Sequence, residues 1–196
     1  MKRNARTRLF DAPAGFDDPV EMLLACHRRI EHHLEILERL QAHVAAKGVD
    51  VEASGAAQSV LRYFTQAGEA HNEDEEKDVF PLLEDRIPSG QDKASFHQLR
   101  QRLEIDHVRV RSLWVKLRKP LEGIAEALPR TLLEEDVNEF VNTYREHIAF
   151  EEDVLGPLVV KWLDESDRAA LGRSMRERRE MVGVRGFEPP ASTSRT

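Results

Sequence analysis

The sequence predicts an all-α protein, an up-down-up-down four-helix bundle followed by a short C-terminal fifth helix. Three observations carry that expectation. Apolar residues recur at spacings of three, four and seven over four long stretches, as in a helix that buries one face. No stretch alternates apolar and polar residues as a half-buried strand does. The 10 glycines and 9 prolines cluster between the periodic stretches, leaving connections of moderate length. No internal repeat points to a solenoid.

Each element has its own signals. Asp18-Pro19 followed by Glu21 supplies an N-cap, a proline at the first helical position and an acidic first turn. The first helix then runs through LLACHRRIEHHLEILERL and stops near Gly48. A second starts between Asp50 and Ser54 and continues through VLRYFTQAGEAHNEDEEKDVF. Pro81 is expected to interrupt its hydrogen-bond ladder. Pro88, Ser89 and Gly90 make a loop, and the third helix carries FHQLRQRLEIDHVRVRSLWVKL as far as Pro120. Thr131 and Glu134 have the spacing of a capping box. The fourth helix follows through FVNTYREHIAFEEDVL to about Asp164, with a late kink at Pro157. Ser166 is placed to cap the fifth, DRAALGRSMRERRE.

The bundle is therefore expected over residues 18–180, with 1–17 a flexible arm and 181–196 a disordered tail. The end, GVRGFEPPASTSRT, has no amphipathic period. Its Gly-Phe-Glu-Pro-Pro resembles the translation of a reading frame that runs into a tRNA gene, so the tail reads as a read-through extension.

Composition narrows the function classes. Lys plus Arg is 29 and Asp plus Glu 36, a net charge of −7 that disfavours nucleic acid as the partner. No uncharged apolar run approaches the roughly 18 residues of a membrane span. The start, MKRNARTRLFDAPAG, has basic residues but no apolar stretch after them, so no secretory signal and a cytoplasmic location are expected. The single cysteine, Cys26, forms no internal disulfide, which leaves histidine and carboxylate as the donors for any metal.

The 8 histidines separate by helix face. His27 falls in line with Leu23, Ile30 and Leu34; His71 with Phe64, Ala67 and Leu82; His107 with Phe96, Leu103, Val110 and Trp114; His147 with Phe140, Val154 and Leu158. Each of the four helices thus places one histidine on its apolar stripe, whereas His32, His33, His43 and His97 fall at its border or outside. His71 is followed one turn later by Glu75, and His147 by Glu151. Residues four apart in a helix share a face at about 6 Å, so each pair aims an imidazole and a carboxylate inward. A buried carboxylate is costly without a cation. Counted along antiparallel helices at 1.5 Å per residue, all six groups fall in one layer, roughly 10–20 Å from one end of the bundle. The rest of the acidic run, Glu73, Asp74, Glu76 and Asp78, is expected to be a solvated face beside that site.

Imidazole and carboxylate donors suit iron, manganese or zinc. The ferritin-like arrangement would need two Glu-x-x-His motifs, and only Glu104–His107 qualifies. The order His, HxxxE, His, HxxxE through ACHRRIEHHLEIL, EAHNEDEEKDVFPLL, EIDHVRV and REHIAFEEDVLGPL resembles the haemerythrin-like (HHE cation-binding) family. That resemblance implies a non-haem di-iron centre of two iron ions. Glu75 and Glu151 would bridge, His27 and His71 would hold one iron, and His107 and His147 the other. Oxygen-carrying members have two histidines four apart on the third helix. Here the flanking positions are Leu103 and Arg111, so one imidazole is missing, with Glu104 a further possible donor and Arg111 able to hold an anion at the site. Such a site favours reaction with, or sensing of, oxygen, peroxide, nitric oxide or iron and redox state over reversible oxygen carriage. The alternative is a regulatory protein-binding module in which the metal is structural.

Overall fold

The computed structural model describes residues 19–181. The expected arm, the capping role of Asp18 and the read-through tail lie outside them. Among the described residues there are five helices and no strand. Helix α1 is Pro19–Lys47, ended by Gly48 at a φ of 81°, the left-handed conformation that closes many helices. Helix α2 is continuous over residues 51–86, and α3 is Gln91–Ala125. Helix α4 is continuous over 134–162, and α5 is Glu165–Met181. Helices α1 and α3 each pack on both α2 and α4, which is the up-down-up-down bundle. No described helix is long and apolar enough to cross a membrane.

Two prolines do not break the helices that contain them, and π-helical turns account for it. A π turn spans Glu75–Val79, where the Phe80 amide donates to the Glu75 carbonyl. Another spans Glu151–Leu155, where the Gly156 amide donates to the Glu151 carbonyl. Each inserts one extra residue and widens the backbone just ahead of Pro81 or Pro157. The ring is then accommodated in the first turn of the next α segment, Phe80–Arg86 or Gly156–Trp162. The expected interruption at Pro81 is thus replaced by a helix that runs on to Arg86. Pro120 does not end α3 either; the helix passes it and reaches Ala125.

The same insertions move the apolar stripe by one position. An uninterrupted α period puts Leu82, Val154 and Leu158 inside, but these are half-buried, and Val79, Leu83, Leu155 and Val159 fill the core instead. A third π turn, Phe64–Gly68, lies in α2 ahead of His71.

The caps also differ from expectation. Helix α4 begins at Glu134 behind an extended Leu133 with no side-chain cap. Thr131 stands too far upstream for its hydroxyl to reach the first-turn amides, and three acidic residues, Glu134, Glu135 and Asp136, face the helix dipole instead. Asp164, not Ser166, caps α5: the Asp167 amide donates to Asp164 Oδ1 at 2.9 Å, and Asp167 Oδ2 accepts from the Asp164 amide at 3.4 Å. At 17 residues, α5 is the shortest of the five described helices, as expected. Asp50 caps α2 through the Ala53 amide at 2.8 Å.

The core is divided in two. One apolar cluster holds Ile30, Leu34, Phe64, Val110, Phe140 and Tyr144 among others. The second holds Met22, Phe80, Leu83, Phe96, Leu103, Leu155 and Val159, with Leu171 and Met175 of α5. Between them lies a layer of buried polar side chains: His27, His71, Glu75, His107, His147 and Glu151.

Candidate metal centre

The polar layer is assembled from four helices by periodicity alone. One turn before and after His27, His107 and His147 lies an apolar residue of one cluster or the other, so the packing that buries the stripe also buries these imidazoles; His71 lies between Phe64 of one cluster and Val79 of the other along α2. Donor atoms of His27, His71, Glu75 and Glu151 all lie within 4.8 Å of one another, and so do those of Glu75, His107, His147 and Glu151. The two groups share both glutamates.

The contacts inside the layer are close but are not hydrogen bonds. His147 Nε2 is 2.7 Å from Glu151 Oε1, His27 Nε2 is 3.1 Å from Glu151 Oε2, and His107 Nε2 is 3.2 Å from Glu75 Oε2. His71 Nε2 stands 3.8 Å from Glu75 and 3.7 Å from Glu151. Among the described residues, none of these nitrogens, nor any oxygen of Glu75 or Glu151, has a partner at hydrogen-bonding geometry. Leaving such groups buried and unsatisfied costs on the order of several kcal/mol. Divalent cations among them would satisfy every one, so the donor set fits two metal ions of the iron, manganese or zinc type.

Outside the layer the imidazoles are held in a matching way. Nδ1 of His27 is hydrogen-bonded to Glu152 at 3.0 Å, and Nδ1 of His107 to Glu76 at 2.7 Å. Each glutamate of the inner layer is thus followed in sequence by one that orients a histidine on another helix. His147 Nδ1 faces Asp106 at 3.8 Å. Carboxylates in this outer position fix the ring and raise its basicity toward a metal.

Electrostatics follow from the crowding. Burial opposes charge on His27, but Glu151 and Glu152 outweigh it and lift the imidazole to about 9. Burial likewise opposes charge on His107, and Glu151 and Glu75 raise it to about 10. Burial is again outweighed at His71, which Glu75 and Glu151 hold well above the ordinary value. Glu75 is pushed up by burial and by the neighbouring Glu151. Glu151 resists its own burial because His147, His107 and His27 surround it, and it lies well below the ordinary carboxylate value.

All six residues singled out from the sequence meet in this layer. The two further candidates do not join it. Glu104 is paired to Arg100 at 2.8 Å, and Arg111 is held by Glu76 at 2.9 Å and Glu69 at 3.5 Å. Leu103 is fully buried in the second apolar cluster. His32 and His97 are exposed, His33 stacks on Tyr63 with ring centroids 3.9 Å apart, and His43 is bonded to Asp50 at 2.9 Å.

The expectation of a solvated acidic run is overturned. Asp74 is fully buried, because α5 lies over this part of α2 and brings Arg178 and Arg179 onto its carboxylate. Arg178 also reaches Asp78 at 2.8 Å, and Ser174 donates to Asp78 at 3.0 Å. Arg179 in turn donates to Cys26 Sγ at 3.3 Å. The thiol is raised by burial, yet His71 and Arg179 beside it leave it below its ordinary value. Sequence reading also passed over Glu152 and Asp106. The doubled glutamates in HNEDEE and HIAFEE were the available signal.

Comparison with known proteins agrees with this geometry. The family model described as the Hemerythrin HHE cation binding domain matches residues 18–159. An uncharacterized protein of Haemophilus influenzae is 30% identical over 139 residues, which cover 71% of this chain and 77% of that protein.

Proposed function

Because the chain belongs to the Hemerythrin HHE cation binding family, we propose that its polar layer is a non-haem di-iron centre that binds or reacts with a small ligand, namely oxygen, peroxide or nitric oxide, or reports iron and redox state. His27 and His71 would hold one iron and His107 and His147 the other, with Glu75 and Glu151 shared between them. The observation that carries this reading is the convergence of four buried imidazoles and two buried carboxylates whose inner atoms have no hydrogen-bond partners among the described residues.

The protein's own part is to hold this set ready. Glu76 and Glu152 fix the rings of His107 and His27 so that each Nε2 faces inward. Apolar clusters on both sides exclude bulk water, which strengthens every charge interaction in the layer. Iron bound there would supply Lewis acidity and one-electron chemistry. Four protein donors per ion is fewer than an octahedral ion takes, so exchangeable positions for a small ligand follow from the count.

The test is metal analysis of protein loaded anaerobically with ferrous iron, followed by spectra of the oxidised and reduced forms. Two irons per chain, with charge-transfer bands that respond to oxygen, peroxide or nitric oxide, are expected. Iron well below one per chain overturns the reading. Bound metal without any response to these ligands moves the assignment to a structural metal in a regulatory module.

A further inference from the structure

Helix α3 carries a second apolar stripe, on its outer side. Among the large apolar side chains that the described residues leave exposed, Ile105, Val108 and Val115 share this helix, at 60%, 63% and 71% exposure. The rest lie on other elements. With the exposed Ser112 these three fall at spacings of three, four and three, opposite the buried Leu103, Val110 and Leu117. The outer face of a bundle helix is ordinarily polar. Here it repeats the a and d positions of a coiled coil for two heptads, with Ile105 and Ser112 at a and Val108 and Val115 at d. Exposed polar residues, Gln101 and Lys119, end the stripe on either side.

The order of residues along the stripe indicates what would cover it. In a two-fold pairing, residue i of one copy meets residue j of the other, and j meets i. About an axis level with Val110, Ile105 of one copy comes opposite Val115 of an antiparallel copy, and Val108 opposite Ser112. Gln101 then comes opposite Lys119 at both ends, so the stripe is complementary to itself on reversal. The charges beside it agree. On the flank toward α2, Glu104 comes level with Arg118 of the other copy, an opposite pair that the symmetry makes twice. Within one copy these two are held by partly exposed contacts one turn away, Glu104 by Arg100 at 2.8 Å and Arg118 by Glu122 at 2.7 Å. Such pairs exchange partners at little cost. The remaining basic residues already face carboxylates of their own chain. Arg111 faces Glu69 and Glu76, Arg102 faces Asp106 at 3.8 Å, and Arg109 and Lys116 face Glu139 at 3.4 Å and 3.9 Å.

We propose that this stripe is a self-association surface, on which a second copy of the chain docks with its α3 antiparallel, about a two-fold axis level with Val110. A seam of two heptads falls at the low end of specific interfaces, under about 1,200 Å², so the association depends on concentration rather than being permanent. It is independent of what the polar layer binds.

Sedimentation equilibrium of the full chain, from micromolar to millimolar concentration, tests the proposal, and a monomer–dimer equilibrium is expected. Val108→Glu buries a charge in the seam and should weaken dimerisation by at least about tenfold. Glu104→Arg should weaken it about three- to tenfold, and adding Arg118→Glu should restore it. Circular dichroism melts establish that each variant is folded. On mild oxidation, a mixture of Val108→Cys and Ser112→Cys chains should form a disulfide-linked pair faster than either chain alone. A monomer at every concentration overturns the proposal, and is also the outcome if the chain's own ends or a different protein cover the stripe. A dimer that survives Val108→Glu places the interface on another face. Cross-linking fastest with Val108→Cys alone means a parallel pairing, and no recovery in the doubly charge-reversed chain means that Glu104 and Arg118 do not meet. Each of these results overturns it as well.

Discussion

Nδ1 of His107, on α3, is hydrogen-bonded to Glu76, on α2, at 2.7 Å, while Nε2 of the same ring points at Glu75. Two consecutive glutamates therefore grip one imidazole from both sides. Removing the outer one should leave the inner donors in place but free the ring. Glu76→Ala is expected to lower metal affinity by about 10–100-fold, the usual effect of losing an orienting carboxylate. Competition with a chromophoric chelator measures it, and unchanged affinity would mean that Glu76 serves only Arg111.

The inner donors should divide by their position. Glu151→Ala removes a group shared by both four-residue sets and is expected to abolish stable binding of both metals. His71→Ala touches one set and is expected to lose one metal preferentially. His32→Ala and Glu104→Ala, both outside the layer, should keep full metal content. Elemental analysis of the four purified variants decides; equal losses in all four would show that the wrong faces were chosen.

The metal-free protein should have an unusual pH profile. His27 and His107 are lifted from 6.5 to about 9 and about 10. A raised imidazole value contributes stability that is complete below the unfolded value and disappears as pH rises through the folded one. Glu151, depressed from 4.5, contributes stability above that value that is lost on acidification. The metal-free chain should thus melt highest between about pH 4.5 and 6.5 and lose stability progressively up to about pH 10. Metal displaces these protons, so the loaded protein should keep its melting temperature into the alkaline range and lose metal on acidification. Thermal melts of both forms across this range make the comparison, and parallel profiles would rule out these imidazoles as ligands.

Helix α5 should contribute strongly through one residue of α2. Asp74 is fully buried against Arg178 and Arg179. Asp74→Ala leaves Arg179 buried without its carboxylate, a change that costs on the order of 3–5 kcal/mol. Urea unfolding should show this as a lower midpoint. A loss well under 1 kcal/mol would mean that α5 detaches readily and that the contact is incidental.

Much of this organisation was legible in the sequence, for a physical reason. The helix period that buries an apolar stripe also buries any histidine lying on it, so Ile30 and Leu34 locate His27, and Leu103 and Val110 locate His107. What could not be read was local backbone geometry. Nothing in an uninterrupted period announces the extra residue at Glu75–Val79 or Glu151–Leu155, so Val154 and Leu158 stood in for Leu155 and Val159. Charges were misplaced where a later element covers an earlier one. Asp74 reads as a solvent residue until α5 is laid over it with two arginines. Glu152 was invisible because its partner is 125 residues away on α1.

The layer of imidazoles and carboxylates also decides how the molecule comes apart. It separates two apolar blocks that share helices but have no common hydrophobic interior at that height. With cations in place, the seam is a set of short bonds that ties all four helices together. Without them it leaves buried imidazoles and carboxylates unsatisfied between the blocks, so the two are expected to open more independently. Metal occupancy would then be written into the exchange rates of amides around residues 71–75 and 147–151.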